Sequence, residues 1–215
     1  EIAQCLVGSE MCIRDRYYTG RYVMKSDWRV YGKKADFKRL ADKYSIDQVI
    51  ARIIRNRDIC GDSDIDMYLN GDIKDMHAPK DMKDAVVSVD IIEKKIKEKC
   101  RIRIIGDYDI DGICSIYILY KGLLAAGADV DYVVPHRIND GYGINEHLID
   151  NALSDGIDTI ITCDNGISAY SQVKYAKDNG MTVIVTDHHD VPFDMIDGEK
   201  KYCIPPADAV VNPKP

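Results

Sequence analysis

Three absences narrow this sequence before any motif is considered. Its seven cysteines (Cys5, Cys12, Cys60, Cys100, Cys114, Cys163 and Cys203) are odd in number and include no CxxC pair, which argues against both a disulfide framework and a structural zinc site. No apolar run nears the roughly 18 residues that span a bilayer, and no stretch has the charged start and apolar centre of a signal peptide. Nor is there an excess of positive charge: 29 Lys and Arg stand against 36 Asp and Glu, which is not the balance of a purely electrostatic nucleic-acid binder. The expectation is a soluble, cytoplasmic protein with reduced thiols and no membrane partner. At 215 residues, 46% of them hydrophobic, it can bury one good core, or a core plus a small helical appendage.

What charge there is lies unevenly. Residues 1–106 carry 22 basic against 18 acidic residues, whereas residues 107–215 carry 7 against 18, a net of −11. A solvated acidic surface gives such a half, and so does a protein that holds several divalent cations, before the ions are counted.

The hydrophobic period divides the chain. Residues 1–16, EIAQCLVGSEMCIRDR, have no clear period. The piece SEMCIRDR resembles a translated sequencing-adapter read-through, so these residues are set apart as a non-native leader. Residues 17–100 form a helical amino-terminal segment. Ala35, Leu40 and Ala41 are followed by Ile46, Val49, Ile50, Ile53 and Ile54 at helical spacing, with Ser45 or Asp47 available as cap. A short helix is expected over 62–69, a loop at NGDIKDMHAP, and an amphipathic helix from Met82 to near Cys100. From residue 101 the rhythm becomes β and α in turn. Strands are expected at 101–105, 130–134, 159–162 and 182–186, and helices at 113–126, 145–154 and 168–179, the last capped by Ser168. Strands alternating with helices of this length predict an α/β fold: a parallel sheet with helices on both faces, preceded by the small helical segment.

In such sheets ligands bind at the carboxyl ends of the strands. Just past those ends stand Asp107, Asp109 and Asp111, then Asp164, then Asp187, His188, His189 and Asp190. That many carboxylates on one rim cannot all stay ionised unless something cancels their charge, and divalent metal is the simplest such thing. In an extended segment residues two apart point the same way, so Asp107, Asp109 and Asp111 are expected to aim oxygens at one point, with Gly106 and Gly112 easing the bend. Imidazole added to carboxylate favours Mn²⁺, with Mg²⁺ an alternative. Taken singly, each piece has a plain reading as well: an acidic surface loop, a polar His-His turn, an Asx turn at Asp164. An EF-hand does not fit, because Ile118 occupies the position where its glutamate belongs. Helix starts after Gly112 and Gly166 are expected to offer backbone donors for phosphate oxygens.

As a set, GDYDIDG, GYGIN, TCDNGIS and VTDHHD resemble the motifs of the DHH phosphoesterases. The preceding helices, with LADKYSIDQVIARIIRNRDI and HAPKDMKDAV, are similar to the amino-terminal segment of that family's bacterial 5′ to 3′ single-strand-specific exodeoxyribonucleases. The resemblance covers about residues 28–215 and implies a two-metal hydrolase of DNA repair and recombination. It makes residues 101–215 a DHH catalytic domain cut short at its carboxyl end. It further implies Asp107, Asp109, Asp111, Asp164, His188 and His189 as manganese ligands, five of them (Asp109, Asp111, Asp164, His188 and His189) catalytic. Asp187 would orient a histidine, and His136 and Arg137 would touch the scissile phosphate. The implied partners are single-stranded DNA and, among proteins, a single-strand-binding protein or a helicase. The family's further downstream aspartate has no match, because Asp208 reads as the start of a strand. Two other readings stay open: another DHH phosphoesterase acting on short oligonucleotides or cyclic dinucleotides, and a non-catalytic nucleic-acid-binding adaptor.

Overall fold

The computed structural model describes residues 32–138 and 140–214. The expected leader at 1–16 lies outside the described residues. The chain divides into two compact units, one ending at Asp75 and one starting at Met76.

The first unit holds helices α1 (Phe37–Tyr44), α2 (Gln48–Asn56) and α3 (Asp62–Asn70). Asp36 and Asp47 cap α1 and α2 by accepting the backbone N–H groups of Arg39 and Val49, which satisfies donors a helix start otherwise leaves unpaired. Ser45 is not the cap of α2; it closes α1 in the left-handed region at φ 54°. Leu40, Ala51, Ile54 and Ile65 form the small core. Val49, Ile50 and Ile53 of the expected apolar stripe are exposed.

The second unit contains α4 (Ala85–Lys97), β1 (Arg101–Ile105), α5 (Ile110–Ala125), β2 (Asp129–Val133), α6 (Glu146–Ser154), β3 (Thr159–Cys163), α7 (Tyr170–Asp178), β4 (Thr182–Thr186), the hairpin β5 (Phe193–Ile196) and β6 (Glu199–Tyr202), and β7 (Ala209–Val211). Five strands form one sheet in the order β2-β1-β3-β4-β7, every neighbour parallel. Alternation along the strands splits their side chains between two cores. Ile102, Ile104, Ile161 and Ile184 face α4 and α5 through Ile92, Ile96, Ile116 and Leu123. Ile105, Ile160, Val183 and Val185 face α6 and α7 through Leu148, Ile149, Val173 and Ala176. Helices therefore cover both faces, as a buried parallel sheet requires.

This packing sets the unit boundary. Although α4 belongs by sequence to the helical run before residue 101, Ile91, Ile92 and Ile96 bury against the sheet, and Asp84 just ahead of the helix accepts the N–H of Val210 at 3.1 Å. The sheet-bearing unit accordingly starts ahead of the expected boundary at 101. Among the described residues no helix is long and apolar enough to cross a membrane.

One buried charge is built into the sheet. Arg103, 6% exposed in β1, makes a two-pronged contact with Asp131 of β2 at 2.6 and 2.7 Å and an ion pair with Asp155 at 2.9 Å. Both carboxylates are in partial contact with solvent and can rehydrate. Removing the arginine should therefore cost less than breaking a fully buried pair. Arg103→Met is expected to destabilise the chain by roughly 2 to 3 kcal/mol, measured as a lower urea midpoint. An unchanged midpoint would show that the network contributes nothing.

Candidate metal centre

Parallel register is what assembles the rim. Ile105 pairs with Thr162 and Cys163 with Thr186, so β1, β3 and β4 end side by side and their following residues emerge together. The N–H of Asp164 donates to the carbonyl of Thr186 at 3.1 Å, which ties two of those exits to each other.

Among the described residues two groups of ligand atoms result. One oxygen each from Asp107, Asp109 and Asp164 lie within 4.8 Å of one another, as do one atom each from Asp164, His188 and His189. Asp164 belongs to both. Asp107 and Asp164 are 1% and 7% exposed, and the Oδ1 atom of each is buried with no hydrogen-bond partner among the described residues. A buried, unsatisfied carboxylate oxygen is costly. Burial, followed by the neighbouring Asp109 carboxylate, pushes the Asp164 carboxyl up to about 6; burial first and Asp109 after it also raise Asp107. Orphaned oxygens, like charges held together and imidazole nitrogens alongside make a donor set that fits divalent manganese.

Local backbone explains how these residues reach the rim. Asp164 takes the left-handed conformation at φ 60°, uncommon outside glycine but open to aspartate and asparagine. Asp109 is the N-cap of α5 and accepts from the N–H groups of Asp111 and Gly112, each at 3.0 Å. That cap starts the helix at Ile110, three residues before the expected start at Ile113. Asp111 consequently sits in the first turn of a helix, exposed, and belongs to neither ligand group. Of the three aspartates expected to aim at one point, Asp107 and Asp109 bring oxygens together and Asp111 does not.

Asp187 is 8% exposed and stands outside both groups. Its Oδ1 lies 2.7 Å from His189 Nδ1 and accepts the N–H of His188 at 2.7 Å and of His189 at 3.1 Å; its Oδ2 accepts the N–H of Ile167 at 3.0 Å. The two histidine rings stack with centroids 4.7 Å apart. Asp190 pairs instead with Lys214 at 2.8 Å. These bonds correct the expectation about backbone donors for phosphate: the amides of Asp111 and Gly112 are taken by Asp109, and that of Ile167 by Asp187. Ser168 does not cap α7 either; Ala169 stands at that position, without a side-chain bond.

Of the two expected phosphate contacts, the Arg137 guanidinium lies 5.2 Å from the centre of the Tyr108 ring, between the first two aspartates in sequence. His136 is engaged within its own turn, where Nδ1 accepts from Ile138 N–H at 3.3 Å. Asp208 accepts from Val183 N–H and pairs with Lys177, at the opposite, amino-terminal end of β4.

Three residues at the rim escaped the sequence reading. Tyr142 donates its hydroxyl to the Asp164 carbonyl at 3.1 Å, its ring edge-on to both Tyr108 and His189 at 6.3 Å. Burial and the surrounding carboxylates, Asp107 first among them, push its phenol up. Asn165, 1% exposed, donates to the carbonyls of Ile105 and Cys163 and accepts from Ile144 N–H, pinning the GYGIN loop to two strand ends. Asn212 donates to the carbonyl of His189. The Asn of TCDNGIS, next to Asp164, is the local signal for Asn165.

The DHH family, N-terminal domain, matches residues 101–215. The chain is 40% identical over 127 residues to the single-stranded-DNA-specific exonuclease RecJ of Salmonella typhimurium, covering 59% of this chain and 20% of that protein. It is 31% identical over 191 residues to RecJ of Bacillus subtilis, covering 88% and 23%. Among solved structures, exonuclease RecJ bound to manganese superposes with a TM-score of 0.55 at 34% identity, covering 64% of this chain and 33% of that one. RecJ in complex with Mn²⁺ from Thermus thermophilus gives 0.53 at 28% identity, covering 70% and 21%. The chain thus spans about a fifth of the length of these curated relatives. With a match that covers more than half of its residues, the chain belongs to the DHH family.

Proposed function

We propose that this chain carries the catalytic site of a manganese-dependent phosphodiesterase that removes nucleotides from the 5′ end of single-stranded DNA, in the cytoplasm, in the service of DNA repair and recombination. The carrying observation is the pair of ligand groups that share Asp164, with two buried carboxylate oxygens that no hydrogen bond reaches among the described residues. Asp107, Asp109 and Asp164 would hold one cation, and Asp164, His188 and His189 a second, with Mg²⁺ as the alternative metal. Bound there, two divalent cations supply an activated water and offset the negative charge that grows during in-line displacement at phosphorus.

The chain's own residues do the rest. Asp187 engages Nδ1 of His189, which leaves Nε2 as the nitrogen that would bind a cation. Arg137, stacked over Tyr108, brings a fixed positive charge to the edge of the acidic rim, suited to a phosphate oxygen. No side-chain nucleophile is needed. RecJ relatives that act on single-stranded DNA support this substrate over cyclic dinucleotides.

Incubating the full-length protein that carries this chain in Mn²⁺ with a 5′-labelled single strand, the matching duplex and a cyclic dinucleotide tests the reading. Mononucleotides released from the single strand alone are expected. Cleavage of only the cyclic dinucleotide would replace this substrate with the other DHH class, and a filled metal site without any hydrolysis would make the chain an adaptor. Recruitment by a single-strand-binding protein or a helicase belongs to the same proposal, and co-purification with neither would remove that part of it.

A further inference from the structure

We propose that Asn212 is a positioning residue for His189, holding the histidine's main chain so that its ring keeps one nitrogen aimed at the cation; the inference rests on the metal-binding reading above. His189 is gripped at three points. Asp187 Oδ1 takes its backbone N–H at 3.1 Å and lies 2.7 Å from its ring Nδ1. Asn212 Nδ2 donates to its backbone carbonyl at 3.1 Å. The first two contacts come from within the loop itself, so Asn212, just past β7, is the hydrogen-bonding anchor that reaches the histidine from outside it, beside the Tyr142 ring that lies edge-on to the imidazole.

Asn212 is suited to the task by where it sits. It follows β7 directly, is 6% exposed, and joins a strand whose Val211 carbonyl accepts the N–H of Asp187 at 3.0 Å. Its own amide cannot flip. Oδ1 accepts the N–H of Lys214 at 2.8 Å, a group that only donates, while the His189 carbonyl only accepts, so both neighbours demand the same orientation. Lys214 then pairs with Asp190 at 2.8 Å, closing the loop from outside. Loss of the Asn212 bond frees the peptide between His189 and Asp190 to rotate, which loosens the backbone hold on His189 and leaves its ring placed by Asp187 alone among its hydrogen bonds.

The variants separate clamp from scaffold. In Asn212→Asp one carboxylate oxygen can still accept from Lys214, but the other meets the His189 carbonyl, acceptor against acceptor. Asn212→Ala removes the donor without adding repulsion. Mn²⁺ affinity would be measured on the full chain from the electron paramagnetic resonance of free Mn²⁺, well below each variant's melting midpoint in EDTA. Both variants are expected to weaken Mn²⁺ binding about 10- to 100-fold, the usual effect of removing a residue that orients a ligand. Lys214→Ala, which loses only an exposed ion pair, should weaken it less than about threefold. A purely structural role would lower the midpoint in EDTA and leave the affinity of the folded protein alone, and that result overturns the proposal. Should Asn212→Asp not fold, Asn212→Ala decides. A parent chain that takes up no Mn²⁺ brings down the metal reading and this inference together, whereas a parent that binds and variants that bind equally well bring down this inference alone.

Discussion

Replacing Asp164 with asparagine should abolish Mn²⁺ binding and hydrolysis while making the metal-free chain more stable at neutral pH. The first effect follows from sharing: Asp164 is in both ligand groups, so its loss should exceed the roughly 100-fold penalty of losing an orienting partner, seen by calorimetric titration with Mn²⁺. The second follows from linkage. Burial and Asp109 raise this carboxyl to about 6 in the folded chain. Between about pH 4 and pH 6 the unfolded chain gives up this proton while the folded one keeps it, so stability falls as pH rises through that window. Above it the full penalty is present, at most about 3 kcal/mol. Asparagine keeps the shape and carries no charge, so in EDTA at pH 7 the variant should unfold at higher urea than the parent. Its stability should also depend less on pH between 4 and 6. A variant that is less stable than the parent in EDTA at pH 7, with the same pH slope, would mean that Asp164 is not held against its charge.

The second large effect is expected at Gly112. A Cβ there would lie 2.4 Å from the carbonyl oxygen of Asp107 and 2.6 Å from its nitrogen. Those are backbone atoms, which cannot swing aside as a side chain would. Gly112→Ala should therefore push the first turn of α5 away from Asp107 and pull Asp109 out of the first ligand group. The expected loss is about 3 kcal/mol, the top of the range for overpacking, together with weakened Mn²⁺ uptake. Gly122 in the same helix is the control, because a Cβ there meets nothing within 4 Å. Gly122→Ala should stabilise by about 0.5 to 1 kcal/mol through helix propensity alone. Paired urea titrations and Mn²⁺ titrations check both, and a Gly112→Ala chain as stable as the parent would show that the close approach is relaxed in solution.

The sheet was legible because β1, β3 and β4 are short β-branched runs followed by aspartate or glycine, a pattern that tolerates little sliding when both faces are buried. The start of α5 was less so. Asp109 was read as a ligand, and nothing in the local pattern says that the same carboxylate also caps the helix; that second duty is what turns Asp111 away. The β5–β6 hairpin went unread, since all eight of its strand residues are exposed and burial imposes no alternation on them. The rim itself was foreseeable from strand ends, but which carboxylates meet was not. That Asp164 joins both groups depends on strand order and register, quantities that the local sequence around TCDNG does not contain. Asn165 and Asn212 were missed for a related reason: their partners lie 60 and 23 positions away.

The backbone at Asp164 also limits how this protein can change over generations. At φ 60° an ordinary side chain costs about 1 to 2 kcal/mol, and glycine, asparagine and aspartate visit the region most readily. On the proposed function, a descendant that gives up catalysis while retaining the architecture has few exits at this codon. Such a lineage should carry Asn or Gly there, and Val or Leu should be rare, so the vanished activity would leave a recognisable scar in the sequence.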